Sequence, residues 1–96
     1  MMNARDEVAR AIAYFETSTD AELLRAVLRQ IQPKAAAAAR KFSNREPPNP
    51  AAIRAAEVPA SKDEALKTAQ SVKDFAQMQA LARAVGRRVE ELRSMN

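Results

Sequence analysis

The sequence predicts an all-α protein: a small helical bundle of four to five helices with a long amphipathic helix at its C-terminal end. Three observations carry this. Apolar residues recur at steps of three and four through most of the chain. There is a single glycine, Gly86, and four of the five prolines fall between Pro47 and Pro59. No stretch shows the two-residue alternation, bounded by turn glycines, that marks β-strands.

The first helix starts after Asn3, a side chain suited to cap free amides, with Asp6 near its positive end. Val8, Ala11, Ile12 and Phe15 share one face. Thr17-Ser18-Thr19 interrupts it, and Thr19-Asp20-Ala21-Glu22 reads as a capping box for a second helix. Leu23, Leu24, Val27, Leu28 and Ile31 then form the strongest apolar stripe in the chain. Pro33 lacks a backbone donor, so it kinks this helix or ends it and opens a third. Lys34 to Phe42, with five consecutive alanines, is helical by propensity.

Residues 43–49 read as a loop stiffened by Pro47 and Pro48. Asn49-Pro50 is a cap followed by proline at the first helical position, so a short helix is expected from Pro50 to about Glu57. Ser61 and Glu64 form a further capping box. Beyond it, apolar residues recur from Ala65 to Leu92 without a proline. This predicts one long helix over about 62–93, roughly 50 Å at about 1.5 Å per residue. A compact domain of this size is only about 30 Å across. The helix must therefore break, or a second chain must cover its stripe.

Ninety-six residues set a single helical domain, 1–96. Much of the apolar content is alanine, which buries little area, so the core is thin and a second protomer would reinforce it. The net charge of +4 is uneven. Residues 1–22 carry −3, residues 23–45 carry +6 and the remainder carries +1. The basic block comprises Arg25, Arg29, Lys34, Arg40, Lys41 and Arg45. Such a block suits an acidic partner or a phosphate backbone, or pairs with acids of its own chain. Met1 to Phe15 holds Asp6 and Glu7 and no continuous apolar run, and no stretch approaches a membrane span, so a cytoplasmic protein without membrane attachment is expected.

The inventory for catalysis is sparse. There is no histidine and no cysteine, which removes the commonest general base and the thiolate nucleophile. A glycine-rich phosphate loop needs glycines the chain lacks. The paired carboxylates Asp6/Glu7, Asp63/Glu64 and Glu90/Glu91 are adjacent residues, which point about 100° apart on a helix. No enzyme activity, metal or cofactor is expected.

The remaining functional signals are two surfaces. Phe75, Met78, Ala82, Val85, Val89 and Leu92 form an apolar stripe on the long helix, expected to bind a protein partner or pair in a homodimer. The basic block is expected to orient that encounter. The function expected is a non-catalytic interaction module: a small adaptor, chaperone-like or regulatory protein. The alternative is a basic accessory protein that binds nucleic acid through phosphates. Its sharpest form is a helix-turn-helix with its turn at Gln32-Pro33, weakened by alanines where base-reading side chains belong. A second cluster, Arg83, Arg87 and Arg88, is expected to lie on a solvated, salt-bridged face near Asp74, Glu90 and Glu91, or else to recognise an acidic protein motif or pair across an antiparallel dimer.

Overall fold

The computed structural model of the chain describes residues 4–41 and 53–95. These form four helices: α1 (Ala4–Thr17), α2 (Ala21–Lys41), α3 (Lys62–Ser71) and α4 (Phe75–Ser94). No strand occurs among the described residues. The radius of gyration is 12.8 Å and the molecule measures 40 × 35 × 20 Å.

α1 buries Val8, Ala11, Ile12 and Phe15, the face its periodicity marks. It ends where the Thr17 hydroxyl donates to the Ala13 and Tyr14 carbonyls, both at 3.1 Å. Hydroxyls that bond back to the preceding turn compete with helix continuation. After a three-residue link, α2 begins at the Asp20 cap, whose carboxylate accepts from the Leu23 amide at 3.0 Å. The cap is thus Asp20, one residue later than the Thr19 of the predicted capping box. Asn3, the expected cap of α1, lies outside the described residues, as does the predicted loop at 43–49.

α2 does not stop at Pro33. The helix runs unbroken from Ala21 to Lys41 with Pro33 inside it. Pro33 is exposed, so the missing amide and the displaced carbonyl of the preceding turn fall on the outer face rather than in the core. Leu24, Val27 and Ile31 are buried on the inner face, with Leu28, Ala35 and Ala38 packed beside them. No turn exists at Gln32-Pro33, which removes the helix-turn-helix.

The short helix predicted from Pro50 to Glu57 is not formed at residues 53–57. Instead residues 53–60 run alongside α1 without helical structure. The Ala56 amide donates to the Ala9 carbonyl and the Ala60 amide to the Arg10 carbonyl, each at 3.0 Å. Helix carbonyls have a second lone pair, so this segment satisfies its own donors on a helix already complete. Ala60 is buried there, immediately before the Ser61 cap. The Ser61 hydroxyl accepts from the Glu64 amide at 3.2 Å, as its position predicts. The Glu64 carboxylate forms an ion pair with Arg10 at 3.2 Å, joining α3 to α1.

The long helix predicted over about 62–93 is two helices. It breaks at Val72-Lys73-Asp74, where Val72 is extended (φ −62°, ψ 134°). Asp74 caps α4 by accepting from the Gln77 amide at 3.1 Å. The signal was present in the sequence as Asp74-Phe75-Ala76-Gln77, a capping pattern set inside a continuous apolar period. Packing explains the break. At about 1.5 Å per residue α3 and α4 are roughly 15 and 30 Å long, and both lie against α1. A straight rod of roughly 50 Å would overrun the 40 Å molecule.

The core gathers Val8, Ile12 and Phe15 of α1, Leu24, Val27 and Ile31 of α2, and Met78, Leu81, Val85 and Val89 of α4. α4 is the central element, packed against both α1 and α2. Glu7 and Val8 share a cleft with Asp74 and Gln77, and Ile12 and Glu16 share the next with Ala80, Arg83, Ala84 and Arg87. α1 and α4 therefore run in the same direction. Each large apolar side chain buried this way contributes about 1.5–3 kcal/mol before entropy is counted.

Candidate functional site

The predicted partner-binding stripe lies inside the molecule. Phe75, Met78, Val85 and Val89 are buried, and Ala82 and Leu92 are partly buried against the core. Val85 is 0% exposed. The stripe that called for a second chain is covered by this chain's own helices once the rod breaks at Asp74. Among the described residues the only large apolar side chains left exposed are Val58 and Met95. They lie in the segment before α3 and just after α4, so they make no stripe.

The basic block divides. Arg25, Arg29 and Arg40 are exposed on the outer face of α2. Lys34 is structural: its Nζ donates to the Gln70 carbonyl at 2.6 Å. That places a cation on the last turn of α3, where the helix dipole favours it. The Lys41 side chain and all of Arg45 lie outside the described residues.

The second cluster also divides, and not as charge proximity in the sequence suggests. Arg88 is the most buried of its three arginines, with a side chain 15% exposed. Its Nε donates to the Ser18 carbonyl at 2.8 Å and its Nη1 pairs with Glu91 at 3.3 Å. Glu90 pairs with Arg93 at 3.4 Å, and Asp74 is taken up as the α4 cap. All three acids expected to neutralise the cluster are thus engaged elsewhere or by Arg88. Arg83 and Arg87 remain exposed one turn apart, with no ion pair among the described residues.

These two arginines edge a cleft of about 320 Å³ between α1 and α4. Its floor is apolar: Ile12, Ala80 and Ala84 are all buried. Arg54, from the non-helical segment before α3, is a third arginine lining it. Among the described residues Glu16 is the one acid lining it, and it forms no ion pair with any of the three. Like charges at i, i+4 repel by a few tenths of a kcal/mol on a helix. The Arg83–Arg87 pair carries that repulsion with no ion pair to either arginine among the described residues, and so does Arg25–Arg29 on α2. The i, i+4 spacing of Arg83 and Arg87 was visible in the sequence. The approach of Arg54 was not, because it depends on how residues 53–60 lie along α1.

Two other clefts border α1, of about 380 and 340 Å³. The larger is crossed by the Arg10–Glu64 ion pair and mixes both signs of charge. Among the described residues no three acidic side chains come together as a metal site requires. Nor is any described helix long and apolar enough to cross a membrane.

No family model, no curated protein and no solved structure matches this chain. The geometry above is the whole basis for a functional reading.

Proposed function

We propose that this chain is a non-catalytic protein-interaction module that binds an acidic partner through the cationic face of its C-terminal helix. The observation that carries the reading is the division of labour on α4. Its apolar stripe is consumed by the core, while Arg83 and Arg87 on its exposed side form no ion pair with an acid among the described residues. The absence of histidine and cysteine from the sequence supports a binding rather than a catalytic role.

The reading keeps the C-terminal helix as the binding element and exchanges its apolar face for its charged one. A homodimer through Phe75, Met78 and Val85 would have to unpack the core first. A monomer of 10.6 kDa is therefore expected in light scattering at low and high salt. A mass near twice that value at both salts would favour apolar pairing instead.

The α2 face, with Arg25, Arg29 and Arg40 exposed, favours the alternative of phosphate binding. Fluorescence anisotropy with a glutamate-rich peptide and with a DNA duplex of matched charge separates the two. Tighter binding of the peptide supports the proposal. Tighter binding of the duplex, lost on Arg25→Glu with Arg29→Glu, would replace it with the nucleic-acid reading.

A further inference from the structure

The cleft between α1 and α4 combines a feature each of the other charged surfaces lacks: an apolar floor beneath a cationic rim. Ile12, Ala80 and Ala84 form the floor, and Arg54, Arg83 and Arg87 stand around it. We propose that this cleft binds a short acidic segment of a partner protein, with one small apolar side chain seated on the floor and flanking carboxylates on the arginines. The inference rests on the acidic-partner reading above and assigns it a site.

The arginines come from two separate stretches of chain, so the fold, not local sequence, brings them together. A guanidinium presents a planar fork of donors that matches a carboxylate, and these three have none of their own among the described residues. A bound acid would also relieve the Arg83–Arg87 repulsion. The volume, about 320 Å³, lies at the low end of the roughly 300–1,000 Å³ of ligand clefts, which suits a short stretch of chain. Nucleic acid fits less well. No aromatic side chain among the described residues lines the cleft for base stacking, and an apolar floor offers a phosphate nothing. Glu16 shares the cleft with the arginines, and its carboxylate repels a bound acid and so opposes binding.

The test is the affinity of a short fluorescein-labelled peptide alternating glutamate and alanine, read by anisotropy at about 0.15 M salt, where exposed charges beyond about 8 Å are screened. Arg83→Glu with Arg87→Glu is expected to weaken binding by about ten-fold or more. Arg25→Glu with Arg29→Glu makes the same change in net charge and is expected to leave affinity within about two-fold. Glu16→Ala is expected to tighten binding by about two- to three-fold, and Glu22→Ala, an equal charge change on α2, to leave it alone. Circular dichroism checks that each variant folds. Should the α4 variant unfold, Arg54→Glu outside the helices takes its place, with amide shifts at Ile12, Ala80 and Ala84 on peptide addition as a second readout.

Equal weakening by the α2 and α4 variants would overturn the site in favour of diffuse charge attraction. Loss with the α2 variant alone would overturn the site while leaving the acidic-partner reading standing. A wild-type chain that ignores the peptide would overturn both.

Discussion

The Arg88 guanidinium donates to the Ser18 carbonyl at 2.8 Å, joining residues 70 positions apart in the chain. Ser18 sits in the short link between α1 and α2 and is itself 9% exposed. One side chain of α4 therefore holds the corner where the first two helices meet. A second hand of the same guanidinium grips Glu91 on its own helix, which keeps it in place. A hydrogen bond from a charged donor contributes about 1.5–3 kcal/mol when desolvated and less when partly exposed. Arg88→Ala is expected to cost about 1–2 kcal/mol in urea unfolding. Arg88→Lys should recover little of it, because an ammonium cannot reproduce the fork. A loss below about 0.3 kcal/mol would show that the contact is incidental.

The break between α3 and α4 rests on Asp74. Its carboxylate satisfies the Gln77 amide, which a continuous helix would have satisfied with the Lys73 carbonyl. Asp74→Ala is expected to cost about 1 kcal/mol, and Asp74→Asn only a few tenths, since asparagine caps about as well. Denaturant titration of both variants checks this. Equal loss in the two would assign the effect to charge rather than to capping.

Gly86 sits in the middle of α4 with no positive φ, and an added Cβ would meet nothing within 4 Å. Neither a bend nor a close helix crossing requires glycine there. Gly86→Ala is expected to stabilise the protein by about 0.5–1 kcal/mol, by lowering the entropy of the unfolded chain and raising helix propensity. For a domain of this size that is a rise of about 3–6 °C in Tm. An unchanged or lowered Tm would point to a use of the bare backbone outside the described contacts.

Val85 distinguishes a core helix from an assembly surface. Because it is 0% exposed, Val85→Asp buries an unpaired carboxylate. The cost of several kcal/mol approaches the whole stability of a small domain, so helical signal in circular dichroism should be lost at any protein concentration. An intact fold that merely dissociates would return the α4 stripe to a dimer interface.

Much of the architecture was legible because helices announce themselves locally. The buried faces of α1 and α2 followed from the spacing of Val8, Ile12 and Phe15 and of Leu24, Val27 and Ile31. Ser61 was readable as a cap because a hydroxyl three residues before a glutamate has little other use at a helix start. Asp74 carried a comparable signal but sat inside an unbroken apolar period, and periodicity spoke louder than the cap. Pro33 misled in the opposite direction. Its cost falls on an exposed face, where water can donate to the carbonyl left without its helical partner, and propensity on both sides carries the helix through.

The sequence by itself determined helix type, the inward faces and the poverty of catalytic groups, all of which depend on residue identity and on spacings of three and four. Only the tertiary structure decided which of the charges stay unpaired. Glu91 turns to Arg88, Glu90 to Arg93 and Asp74 to a backbone amide, and Arg54 lines the same cleft as Arg83 and Arg87 from a different stretch of chain. Charge pairing acts across space with partners many residues away, so no local period records it. The same holds for the break in the C-terminal rod, which exists because both of its halves gain more by lying against α1 than by continuing into water.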